Sequence, residues 1–166
     1  MTRLIKAQPL TAEAFAKYGD VIECSEAKQE LSINYGNTTR FHDLFDVDVA
    51  DEGGKVCVSI FRSHPLDQPV IVKVMEYHPL GSQAFIALGD QPYLVVVAEA
   101  GPFEVQKLKV FLAHSGQGVN YHKGTWHHYC LALNKTSDFL VVDRKGSGDN
   151  CVEQHLSSDE QVTIEV

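Results

Sequence analysis

The chain has 166 residues, 44% of them hydrophobic and 22% charged, which predicts one compact domain over residues 1–166 with a substantial core. A formal net charge of −8 with only four arginines excludes the basic footprint that nucleic acid or anionic lipid requires. No apolar run approaches the roughly eighteen residues of a membrane span, and the first thirty residues, rich in acidic side chains, do not read as a signal peptide; a cytoplasmic protein without nucleic-acid or membrane partners is expected.

In chain order, Thr11 followed by AEAFAKYG predicts a short N-terminal helix, with Thr11 as N-cap, Glu13 in the first turn and Gly19 at the stop. Residues 23–32 are polar enough to form a loop. From residue 56 the pattern changes to short strands at 56–62, 70–77, 83–88, 93–98, 105–112, 127–133 and 138–144, each bounded by turn residues. Such spacing predicts a mainly β fold, an antiparallel sandwich or barrel. The valine-rich run at 94–97 does not alternate, so it is expected to be buried on both faces, with a dimer partner as one possible cover. Residues 145–161 read as loop or chain end.

The four cysteines, Cys24, Cys57, Cys130 and Cys151, form no C-x-x-C pair and read as reduced thiols, Cys57 and Cys130 within apolar stretches. Histidine is the one skew in composition: eight residues against four arginines, of a type that ligates metals and exchanges protons near neutral pH. Strand alternation puts Glu76 and His78 on one face, behind Val70, Val72 and Val74, and Gln83 opens the next strand. In the segment GQGVNYHKGTWHH, over 116–128, His127 and His128 must point to opposite faces, and His122 is near enough in the chain to line the same mouth.

The spacings Glu76-x-His78-x4-Gln83-x5-Gly89 and Gly116-x5-His122-x-Gly124-x2-His127 resemble the two cupin motifs, H-x-H-x(3,4)-E-x6-G and G-x5-P-x-G-x2-H, which hold a metal in a small β-barrel. The resemblance implies a cupin-like antiparallel β-barrel or jelly roll, with Glu76, His78, Gln83 and His127 at the four ligand positions. Glu replaces the first His, Gln replaces the Glu and His122 replaces the proline. A Gln carbonyl is a weak ligand for a first-row divalent ion, so the match speaks for the fold more than for the metal. The strings YGDVIE (18–23), RFHDL (40–44), HPLGSQAFI (78–86), GVNYH (118–122), WHH (126–128) and DFLVVDR (138–144) further resemble the ureidoglycolate lyase family, over nearly the whole chain. This resemblance implies cleavage of ureidoglycolate to glyoxylate and urea in allantoin and purine breakdown, a homodimer, and a divalent metal such as Ni2+.

That substrate is a carbinolamide, with hydroxyl, carboxylate and urea nitrogen on one carbon. Cleavage requires a base for the hydroxyl proton, an acid for the leaving nitrogen and a cation for the carboxylate. Glu76 and His78 are the candidates for base and acid, His127 shares either role or ligates a metal, and His122 is a neighbouring candidate; Gln83 and Tyr121 are candidates for the pocket lining. Of the arginines, Arg62 ends the run Val56, Val58, Ile60 and shares its face, expected to be the barrel interior; it ranks first for the carboxylate. Arg40 ranks second, in a polar segment that can act as a lid or cross into a partner subunit, and Arg144 reads as a surface residue. Competing readings are an amidohydrolase releasing ammonia and carbon dioxide from the same substrate, and a non-catalytic cupin binding a small carboxylate or sugar.

Overall fold

The computed structural model describes residues 3–166. Its elements in order are β1 (Arg3–Lys6), β2 (Gln8–Pro9), α1 (Ala12–Phe15), β3 (Gly19–Ile22), β4 (Gln29–Ile33), β5 (Thr38–His42), β6 (Lys55–Ser63), β7 (Ile71–Val72) and β8 (Val74–Tyr77). They continue with β9 (Gln83–Ala87), β10 (Tyr93–Ala98), β11 (Lys109–Ala113), β12 (Gly118–Tyr121), β13 (Trp126–His127), β14 (Leu131–Ala132), β15 (Ser137–Lys145), β16 (Val152–His155) and β17 (Val162–Glu165). Among the described residues no helix is long and apolar enough to cross a membrane.

The strands form three layers. A front sheet runs β3-β12-β9-β15-β6, a central sheet runs β16-β8-β13-β10-β11-β2 with β14 also on β10, and a back sheet runs β1-β17-β7. This is a jelly-roll-like stack of separate sheets, and they do not close into the barrel that the motif spacing implied. One core, with Phe85, Val95, Val97, Phe111, Val119, Phe139 and Val141, lies between front and central sheets. A second, with Val72, Met75, Leu94, Val96, Val110, Val162 and Ile164, lies between central and back sheets.

The middle position of β10 explains its valines. Val95 and Val97 enter the first core, Leu94 and Val96 the second. At about 1.5–3 kcal/mol per fully buried side chain, filling both faces makes β10 the main apolar anchor of the fold, with no partner subunit needed to cover it.

Several boundaries differ from the sequence pattern for identifiable reasons. Helix α1 is a single turn capped by Thr11, whose Oγ1 accepts from the Ala14 amide at 3.2 Å, and it is held by Phe15 packed edge-on to Phe111. Gly19 does not stop it; Gly19 opens β3, where a Cβ would lie 1.8 Å from the Asn120 carbonyl oxygen. The run at 70–77 is two strands in different sheets, β7 pairing with β17 and β8 with β13 and β16. The break at Lys73 shifts the parity, so that Val72 and Met75 enter the second core while Glu76 faces the front sheet. The segment 105–112 begins with a 3-10 turn before β11, and 127–133 is interrupted between β13 and β14. The polar stretches at 23–32 and 145–161 contain β4 and β16: β4 pairs with β5 as an exposed hairpin, and β16 joins the edge of the central sheet.

Candidate active site

The residues of interest lie at one mouth of the gap between central and front sheets. From the central sheet, β13 and β8 place His127 directly opposite Glu76, and His78 follows β8 by one residue. From the front sheet, β12 and β9 place Tyr121 opposite Gln83. One donor atom from each of Glu76, His78 and His127 lies within 4.8 Å of the others. Strand alternation put Glu76 and His78 on one face, the motif spacing added Gln83 and His127, and Tyr121 was a candidate for the lining; in the structure all five lie at this mouth.

Both histidines are oriented alike. His127, 1% exposed, donates from Nδ1 to the Thr125 carbonyl at 3.0 Å and stacks on the Tyr121 ring at a centroid distance of 4.2 Å. His78 donates from Nδ1 to the Asn150 carbonyl. A backbone acceptor on Nδ1 turns Nε2 toward the centre, the arrangement by which metal-ligating imidazoles are held. His127 Nε2 has no hydrogen-bond partner despite complete burial, and it faces Glu76 Oε1 at 3.5 Å; His78 Nε2 lies 3.2 Å from Gln83 Oε1. Two ring nitrogens, a carboxylate oxygen and an amide oxygen are a donor set that a borderline divalent ion accepts. An orphaned buried lone pair facing a carboxylate is also a place where a positive charge belongs. The residues present therefore fit a metal ion.

The electrostatics agree. The His127 ring facing Glu76 holds that carboxyl below its ordinary range, against the opposing effect of partial burial, with His78 adding to the lowering. Burial holds His127 below the ordinary imidazole value, partly offset by Glu76. At neutral pH the pair is an ionised carboxylate and a neutral imidazole. Burial also pushes the Tyr121 hydroxyl well above its ordinary value, so it stays protonated.

Three expectations are corrected. His122, one residue beyond Tyr121, points to the opposite side of the front sheet, where Nε2 meets Asp20 Oδ2 at 2.9 Å. It lines a separate cleft of about 600 Å³ with Asp20, Asp46, Asp48, Ser82 and Lys123, away from Glu76 and His127. Arg62 is also on an outer face: the inward residues of β6 are those opposite Val141 and Phe139, namely Ser59 and Phe61, which leaves Val56, Val58, Ile60 and Arg62 pointing outward. Arg62 is held there by a two-pronged pair with Asp138, at 2.8 and 2.9 Å. Arg144 is not a surface residue: it is 8% exposed and donates to the carbonyls of Asp51 and Ser147. Arg40 stands on the exposed β4–β5 hairpin.

The sequence pattern did not single out Asp143, Asn150, Thr125 or Cys151. Asp143 accepts from Gln83 Nε2 at 3.1 Å, and Cys151 Sγ lies 3.8 Å from Glu76 Oε2. Asp143 carried a readable signal: it ends the alternating series Phe139, Val141, Asp143, a charge at the end of an apolar face. Asn150 and Thr125 act through backbone carbonyls, which residue type does not reveal.

Comparison with known proteins identifies the family. Residues 2–165 match the family model for ureidoglycolate lyase. A ureidoglycolate lyase of Burkholderia mallei (strain NCTC 10229) is 53% identical over 154 residues, 93% of this chain and 90% of that protein. A ureidoglycolate lyase of Pseudomonas putida (strain W619) is 49% identical over 163 residues, 98% of this chain and 96% of that protein. Among solved structures, RmlC from Streptococcus suis in complex with dTDP-D-xylose aligns with a TM-score of 0.50 at 12% identity, covering 89% of this chain and 73% of that one, a likeness of fold. With a match that spans both chains end to end, this protein belongs to the ureidoglycolate lyase family.

Proposed function

We propose that the chain is a lyase that splits ureidoglycolate into glyoxylate and urea, with Glu76, His78 and His127 as the reacting centre. The observation that carries the site is the convergence of these three side chains, one from each of two paired strands and one from the following turn, in a family whose named members are ureidoglycolate lyases. His78, His127, Glu76 and Gln83 would hold a divalent ion such as Ni2+. When bound, that ion supplies Lewis acidity toward the hydroxyl and carboxylate of the substrate.

The chain's own residues account for the proton movements. Glu76 is ionised, and its Oε2, on the side of Cys151, takes the hydroxyl proton of the substrate. The C–O bond becomes the aldehyde C=O of glyoxylate, the C–N pair leaves with the urea nitrogen, and Glu76 returns the proton to that nitrogen. Net proton count is unchanged. His78 and His127, fixed by the Asn150 and Thr125 carbonyls, keep the centre rigid during the transfer, and the Tyr121 ring excludes water beneath His127.

The substrate carboxylate needs a cation. Arg3, Arg62 and Arg144 are engaged with other groups, which leaves Arg40 on the projecting hairpin as the arginine to be delivered by a second subunit. A homodimer is supported by the outer apolar face of the front sheet, where Val58 and Ile60 are each 61% exposed. Four free cysteines support residence in the cytoplasm.

The test is to treat purified protein with chelator, supply racemic ureidoglycolate with and without Ni2+ or Mn2+, and quantify glyoxylate, urea and ammonia. Equal glyoxylate and urea, dependent on added ion, is the expected result. Ammonia in place of urea would make the enzyme an amidohydrolase, and no glyoxylate above the spontaneous background would leave a binding module.

A further inference from the structure

Gln83 is 6% exposed and spans two groups of different chemistry. Its Nε2 donates to Asp143 Oδ2 at 3.1 Å, and its Oε1 meets His78 Nε2 at 3.2 Å. A primary amide has one accepting and one donating end, whereas an ionised carboxylate only accepts. Beside Asp143 the NH2 end must therefore face the carboxylate, and the oxygen is turned into the centre. His78 Nε2, its ring proton being given to Asn150 from Nδ1, is itself an acceptor, so without Asp143 the empty site would favour the reversed amide, which aims an N–H donor at that ring nitrogen and takes the place of a cation.

We propose that Asp143 is a positioning residue, an acceptor that fixes the Gln83 amide with its carbonyl oxygen toward His78. Asp143 arrives from β15, opposite Cys57 of β6, and Gln83 from β9, so the pair also ties two strands of the front sheet at the mouth of the site. In this chain a neutral side chain occupies the inward position while the negative charge stands one layer behind it. The arrangement predicts that donor and acceptor can be exchanged: Gln83→Glu combined with Asp143→Asn keeps the net charge and the hydrogen bond, and the free carboxylate oxygen presents an acceptor to the centre.

This inference rests on the reading of the cluster as an ion site, and the experiment separates the two. Chelator-stripped wild type, Asp143→Leu, and the double variant Gln83→Glu/Asp143→Asn are titrated with Mn2+ by calorimetry, with kcat, KM for ureidoglycolate and thermal unfolding measured on the same samples. Expected is a loss of about ten- to a hundredfold in ion affinity for Asp143→Leu, as for other residues that orient metal ligands, and recovery in the double variant. Wild-type affinity in Asp143→Leu, or a folded double variant that binds no better than Asp143→Leu, would overturn the proposal. If Asp143→Leu does not fold, the double variant decides alone, by binding Mn2+ as wild type does or failing to. If wild type binds no Mn2+, the ion reading falls and Asp143 is judged on kcat: a fall in Asp143→Leu reversed by the exchange supports its role, and equal kcat in both variants overturns it.

Discussion

His127 and Glu76 are register partners across β13 and β8, and the lone pair of a neutral imidazole faces an ionised carboxylate at 3.5 Å. Two acceptors that close hold an arriving proton or cation better than they hold each other. Replacing Glu76 by Gln puts an amide donor opposite the orphaned His127 Nε2, which satisfies the ring and removes the base. Turnover is expected to fall by about 10²–10⁴-fold with the thermal unfolding midpoint maintained or raised. Steady-state kinetics with a melting curve checks both, and a fully active variant would remove Glu76 from the mechanism.

For the arginines the geometry reverses the expectation from alternation. Arg62 is five residues along β6 from the strand position opposite Asp143, about 16 Å at the usual rise, and on the other face. Arg62→Ala should leave kcat and KM within about twofold of wild type, and Arg40→Ala should raise KM for ureidoglycolate with a smaller effect on kcat. The opposite pattern would return Arg62 to the substrate site.

What the sequence reveals and what it hides can be traced to individual residues. Alternation within a strand is a local property, so the common side of Glu76 and His78 was readable. It fails where the chain breaks or where the interior is assigned to the wrong face. Lys73 splits one apparent strand into β7 and β8, and β6 carries valine and isoleucine on its outer face while cysteine and serine accompany Phe61 on its inner one, so its apolar pattern points the wrong way. The second core was invisible because β1 and β17 pair in parallel from opposite ends of the chain. His122 was misplaced by treating nearness in sequence as nearness in space; one residue of strand parity separates it from Tyr121.

Arg144 provides a stability prediction. Its guanidinium donates to the carbonyls of Asp51 and Ser147 and lies against Gly54 and Gly146, while Gly81 packs on its aliphatic stem. It fastens the turn that leads to Asn150, whose carbonyl holds His78. Arg144→Leu removes the guanidinium's hydrogen bonds to the Asp51 and Ser147 carbonyls and should cost on the order of 1–3 kcal/mol. Chemical denaturation measures that loss, and a fall in kcat larger than the change in KM would show it reaching His78. Unchanged stability would contradict the latch.

The outer face of β6 gives a prediction about assembly. Val58→Glu and Ile60→Glu place charge where apolar side chains meet solvent in the single chain, so the monomer should fold as before. Light scattering on a sizing column is expected to show wild-type dimers and variant monomers, with KM for ureidoglycolate raised in the variants because Arg40 is no longer supplied. Dimeric variants would move the interface elsewhere.

The donor atoms at the mouth are divided between two layers: Glu76, His78 and His127 on the central sheet side, Gln83 on the front sheet. An ion that engages all four is a cross-brace between halves of the sandwich, so its affinity is also a measure of how firmly the layers are closed. At a concentration one hundred times its dissociation constant it would add about 2.7 kcal/mol to the folded state. Mutations deep in the first core, such as Phe139→Ala, are thus expected to weaken ion binding without touching the ion. Ion affinity at this mouth would then report on the tightness of the whole interior.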